Sequence, residues 1–199
     1  KIDMLQEKLL EKDMVLVIYD FDTSEDGNRE RNAIRQVLTS KPFYAKMMNQ
    51  SCYYLPASLA SLSAVRKWAS NIHADIKVFG IDTTLKDKRN LAHQYVEHLH
   101  SVVGEVNEIG VSIWEDLKNF EERTADAMKL DDLPKMQGWH RKLEGVSNRF
   151  SEIQSLIHKV GGTKDEFELF KLNAFIKEIS GRYEHARKAR DNRIGELKE

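Results

Sequence analysis

The chain has a single cysteine, Cys52, in 199 residues. One thiol excludes an internal disulfide and a cysteine-based zinc centre. Flanked by Ser51 and Tyr53, it reads as a strand residue rather than an activated nucleophile. Proline is nearly as scarce. Only Pro42, Pro56 and Pro134 occur, each at an expected element boundary. Excess charge is missing too, because 31 Lys and Arg stand against 32 Asp and Glu, a net charge of −1. Whole-chain electrostatics therefore makes no case for nucleic acid or a membrane surface, and any such case rests on local patches. No apolar run approaches the roughly 20 residues of a membrane span. No leader pattern shows at the start. The expectation is a cytoplasmic protein with no membrane partner.

What is present centres on Met14 to Asp22, MVLVIYDFD. Its unbroken apolar run, Val15 to Tyr19, ends at two carboxylates and predicts a buried β-strand. Before it, Ile2, Leu5, Leu9 and Leu10 have helical spacing, which predicts a lead-in helix within residues 1–13. After it, Thr23 to Asn28 reads as a turn around Asp26-Gly27. Ala33, Ile34, Val37 and Leu38 then mark a helix over 28–38. Residues 45–56 predict one long strand, or a strand bent near Asn49-Gln50. Leu59, Leu62, Val65 and Trp68 predict a helix over 57–71, and residues 74–81 a further strand. Residues 14–82 thus form an expected ferredoxin-like, βαββαβ-type domain. The glycine-rich first turn of a dinucleotide-binding sheet is absent.

From Leu85 the pattern changes to three heptad-like seams. The first runs from Tyr95 and Leu99 to Phe120, Thr124 and Ala127. The second runs from Trp139 to Val160, the third from Leu169 to Ala186. They are separated at Asp132-Leu133-Pro134 and at Gly161-Gly162. The prediction is an α+β chain whose second part, residues 85–199, is a long antiparallel three-helix bundle. Gly104 and Gly110 are expected to weaken the first helix and to mark a bend.

Asp20 and Asp22, on alternate residues at a strand end, are candidate ligands for Mg or Mn, with Asp20 the candidate catalytic group. As turn formers they have a plainer role. Arg29, Arg31 and Arg35 form one basic cluster. Arg182, Arg187, Lys188, Arg190 and Arg193 form another at the C-terminal end. Both are candidate phosphate contacts, and at a helix C-terminus cations also suit the macrodipole. His93, Glu97 and His100 share a helix face with zinc-ligand spacing but lack a fourth ligand.

Tyr19-Asp20, Arg31 and the Gln50-Ser51 strand, in that order, resemble the small CRISPR adaptation nuclease. The same domain occurs in the phenylacetate-pathway repressor family and in the chromate-resistance regulator family, where a strand ending like Leu55-Pro56 precedes a helix, a strand and a long helical region. The resemblance covers about residues 14–82. It implies a homodimer formed through the sheet, DNA or RNA as partner, and a regulatory, non-catalytic role. It also implies an alternative, a metal-dependent nuclease using Asp20 from each protomer. A third reading is a scaffold that docks another protein on the helical bundle. Asp20-Phe21-Asp22-Thr23 also resembles the nucleophile motif of haloacid-dehalogenase-like phosphatases. The chain departs from that motif at Thr23 and Ser24, and its one Asp-Asp pair, Asp131-Asp132, falls in an expected interhelical loop.

Overall fold

The computed structural model describes residues 4–20, 25–40, 43–59, 75–123 and 132–196. The chain is α+β, with four strands in one antiparallel sheet and five helices among the described residues. The helix expected over 57–71 lies almost entirely outside the described residues, as do Asp22, Thr124 and Ala127.

The apolar run forms β1, Met14–Asp20. It lies between β3, Cys52–Pro56, and β4, Asp75–Gly80. A short edge strand β2, Lys46–Asn49, completes the order β2-β3-β1-β4. The long strand expected over 45–56 is therefore a hairpin. The chain reverses at Gln50-Ser51, where the Asn49 side-chain oxygen accepts the Ser51 amide at 3.2 Å. That short side chain mimics a turn of backbone, and a register shift between Met47 and Asn49 absorbs the irregularity.

Alternation sorts the sheet into two faces. Val15, Val17, Tyr19, Tyr53 and Leu55 share one face and are buried. Leu16, Ile18 and Cys52, on the other face, are half-buried, and Phe79 is 48% exposed. The lead-in segment is α1, Met4–Leu10, with Leu5 and Leu9 buried. The next helix, α2, is Glu25–Thr39. It takes in Asp26-Gly27, which read as a turn.

Three long helices follow: α3, Leu85–Glu121; α4, Asp132–Val160; and α5, Leu169–Glu196. The 37 residues of α3 run about 55 Å at 1.5 Å per residue. Helix α3 runs unbroken through Gly104 and Gly110. Its start is capped reciprocally by Thr84 and Asp87, with the Asp87 amide on the Thr84 hydroxyl. Pro134 sits inside the first turn of α4, not between helices, because a first-turn residue needs no amide donor. Gly161 ends α4 with φ of +90°. The Gly161 and Gly162 amides donate to the carbonyls of His158 and Ile157, a helix ending that favours glycine. The second and third seams are buried along their whole length.

The chain divides into two compact units. Residues 1–99 with 156–163 form the first, and residues 100–155 with 164–199 the second. In the first unit, Lys8 and Lys12 donate to the carbonyls of Gly161 and Lys159, and the Tyr95 hydroxyl donates to the Tyr44 carbonyl. In the second, Arg149 meets Glu105 at 3.1 Å, Trp139 donates to Asp116 at 3.2 Å, and the His140 and Tyr183 rings stack.

Candidate functional site

Helix α2 buries Ile34 and Leu38 completely. That fixes its rotation and leaves Arg31 and Arg35 one turn apart, outside the core. Between α2 and the sheet lies a cleft of about 570 Å³ lined by Tyr19, Arg31, Asn32, Arg35, Met47 and Gln50. Its sheet side is held rigid. The Tyr19 hydroxyl donates to the Gln50 carbonyl at 2.7 Å, and the Tyr19 amide to the Ser51 carbonyl at 3.1 Å. The Tyr19 ring stacks on Tyr53 with centroids 5.9 Å apart.

Among the described residues no carboxylate lines the cleft, and neither the Arg31 nor the Arg35 guanidinium forms an ion pair with another described residue. The C-terminal cluster differs. Arg182 pairs with Glu121 at 3.0 Å and lies over the Trp114 ring. Arg187 pairs with Glu184, Arg190 with Asp191 and Arg193 with Glu196. Arg190 is also buried. Lys188 is exposed and stands in α5 beside these pairs. Four of its five cations are thus already neutralised within the chain. Arg29 lies within α2.

Tyr53 sits behind Tyr19. It has no solvent exposure, and its hydroxyl meets no hydrogen-bond partner of good geometry among the described residues. Burial above all, then the neighbouring Tyr19 hydroxyl, pushes its pKa far up, while the positive charge of Arg35 pulls the other way. Tyr53 therefore stays a neutral phenol.

Asp20 ends β1, in register with Asp75 on β4. Among the described residues no group of three or more His, Cys, Asp or Glu is placed to hold a metal ion. His93 approaches Glu97 at 3.4 Å on an exposed surface, and the His100 ring stacks on Phe167 at 4.4 Å. Burial also raises the Cys52 thiol pKa, the opposite of activation.

Met47 and Asn32 carry no sequence signal as site residues, since only the strand register and the helix rotation bring them to the cleft. No described helix is long and apolar enough to cross a membrane. Compared with family models, with curated proteins and with solved structures, the chain finds no significant match.

Proposed function

We propose that this chain is a non-catalytic, regulatory nucleic-acid-binding protein whose sheet-bearing unit supplies the phosphate contacts. The carrying observation is the contrast between the two basic clusters. Among the described residues, Arg31 and Arg35 line a cleft with no carboxylate, whereas Arg182, Arg187, Arg190 and Arg193 are paired with carboxylates. A guanidinium that is not held in an ion pair exchanges counterions for phosphate more readily.

The ferredoxin-like reading of the first unit draws support from the order β2-β3-β1-β4 with α2 joining β1 to β2, the order of a split βαβ sheet. Its half-open face, with Leu16, Ile18 and Phe79, is the proposed homodimer surface. For the second unit, the α3 partners Glu105 and Asp116 meet α4 at Arg149 and Trp139, in reverse order. That supports an antiparallel three-helix bundle.

The test is binding of single- and double-stranded DNA and RNA across a salt series. Binding should weaken steeply with salt. Arg31→Ala with Arg35→Ala should lower affinity about tenfold or more and flatten the salt slope by about 2. Arg187→Ala with Lys188→Ala should change little. Absence of binding even at about 50 mM salt, where phosphate contacts are strongest, would overturn the proposal.

The place of Asp20 as the last residue of β1 leaves a second reading, a nuclease that uses Mg or Mn at Asp20. Metal-dependent cleavage that disappears in Asp20→Asn would establish it. Binding without cleavage would exclude it.

A further inference from the structure

Among the described residues the cleft beside α2 is lined by two cations, Arg31 and Arg35. A groove that tracks a nucleic-acid backbone needs a succession of cations spaced with the phosphates. The next position on the Arg31–Arg35 stripe is Thr39, whose hydroxyl is committed to the Arg35 carbonyl at 2.8 Å. The nearest lysine on β2, Lys46, belongs to the other face of the sheet, because Lys46 lies opposite Tyr54 and Met47 opposite Tyr53.

Two guanidiniums carry two positive charges. An internal phosphodiester carries one negative charge, whereas a phosphomonoester carries roughly 1.5 to 2 at neutral pH and offers three acceptor oxygens. The donors around the cleft match the latter. Each Arg presents a planar fork suited to two oxygens, and Asn32 and Gln50 add side-chain amides. At about 570 Å³ the space lies within the range of small-molecule sites and is far larger than a bare phosphate needs. It leaves room for a sugar and base against the exposed Met47, which is 38% exposed. Tyr53 lies beneath Tyr19 with no solvent exposure and does not line the cleft, so it supports the Tyr19 ring rather than touching a ligand.

We propose that this cleft recognises a phosphomonoester on a nucleotide unit, either the terminal phosphate of a strand or a free nucleotide. The inference rests on the nucleic-acid reading above for the first of these sources.

The test uses the full chain and one oligonucleotide sequence in three forms: 5′-phosphorylated, 3′-phosphorylated and hydroxyl-ended at both termini. A nucleoside 5′-monophosphate and inorganic phosphate serve as competitors, and binding is read by fluorescence anisotropy. A phosphorylated end should bind at least about tenfold tighter, as the loss of a charged hydrogen bond implies. That preference should vanish in Arg31→Gln and in Arg35→Gln, whose surface positions leave folding intact by circular dichroism. It should also shrink below about pH 6, where the monoester takes up its second proton. Binding of the free nucleotide alone, again dependent on Arg31 and Arg35, would support the phosphomonoester site and overturn the nucleic-acid reading. Equal binding of all three strands would overturn the phosphomonoester site and leave that reading standing. No binding of any form would overturn both.

Discussion

The Tyr19 hydroxyl donates to the main-chain carbonyl of Gln50 at 2.7 Å and thereby ties the end of β1 to the turn between β2 and β3. The bond spans 31 residues of chain and is partly buried, so it fixes the sheet wall of the cleft rather than decorating it. Tyr19→Phe keeps the ring and its stacking on Tyr53 but leaves that carbonyl short of a partner. The expected cost is about 1 kcal/mol, read by urea denaturation. The Tyr19 amide, which donates to Ser51, should exchange its hydrogen faster as the turn loosens. Unchanged stability and exchange would show that the turn stands without this bond.

The two glycines inside α3 are expected to behave in opposite ways. A Cβ on Gly104 would meet no atom within 4 Å, whereas one on Gly110 would lie 3.1 Å from the Phe175 ring and 3.3 Å from Ile179. Gly104→Ala should therefore stabilise by the helix-propensity difference, roughly 0.5 to 1 kcal/mol, raising Tm by about 1 to 4 °C for a chain of this size. Gly110→Ala gains the same propensity but must push Phe175 aside, and overpacking of that kind costs about 1 kcal/mol or more. Paired melting curves decide it. Equal rises in both variants would mean that α3 and α5 yield freely at Gly110.

Which features were legible follows from how local their causes are. The strand Val15 to Tyr19 is an unbroken apolar run, and the seams of α4 and α5 repeat regularly, so one-dimensional pattern suffices for both. The β2–β3 hairpin escaped because Gln50-Ser51 lacks the glycine that advertises such turns. Its signal is the single Asn49 side chain. Asp26-Gly27 reads as a turn dipeptide yet lies within α2, and Pro134 reads as a breaker yet occupies a first turn where it costs nothing. The cleft was half legible. Arg31 and Arg35 stand out by spacing, but Met47 reaches it only through strand register. The C-terminal cations looked equally available because Glu121, the partner of Arg182, comes from 61 residues away.

Arg123 and Asp132 meet at 3.0 Å, with the Asp132 side chain 5% exposed and that of Arg123 31% exposed. Arg123 also lies over the Phe120 ring at 4.4 Å. Asp132 opens α4, where an acid suits the helix dipole. Arg123→Met takes from this buried carboxylate its 3.0 Å cation, whereas Lys135 stands 3.9 Å away on an exposed side chain. The expected cost is about 2 kcal/mol, that of a lost charged hydrogen bond. Lys135→Ala should cost less than about 0.5 kcal/mol, as exposed ion pairs contribute little. Chemical denaturation of the two variants reads the difference directly, and comparable costs would mean that Lys135 shares the neutralisation equally.

His98, on α3, gives the first unit a pH dependence of definite sign. Burial first, then the positive charge of Lys46, lowers its pKa from an ordinary 6.5 to about 4, and a hydrogen bond with the Tyr44 backbone pulls weakly the other way. Its Nε2 is buried without a partner among the described residues, and the Tyr95 ring stands edge-on at 6.0 Å. Between about pH 4 and 6.5 the unfolded chain binds a proton here and the folded chain does not. Stability therefore rises with pH across that window. This contribution is complete above about pH 6.5, falls as the pH drops, and is exhausted below about pH 4. The shift corresponds to a loss of roughly 2 to 3 kcal/mol. Carboxylates titrate in the same range, so the comparison must be with a side chain that does not titrate. His98→Gln should be less stable than the parent at pH 7, where it replaces a packed neutral imidazole, and should close most of that gap at pH 4.5. Urea denaturation of both proteins at the two pH values reads this out. A gap that stays constant with pH would mean that His98 takes up its proton in the folded chain as readily as in the unfolded one.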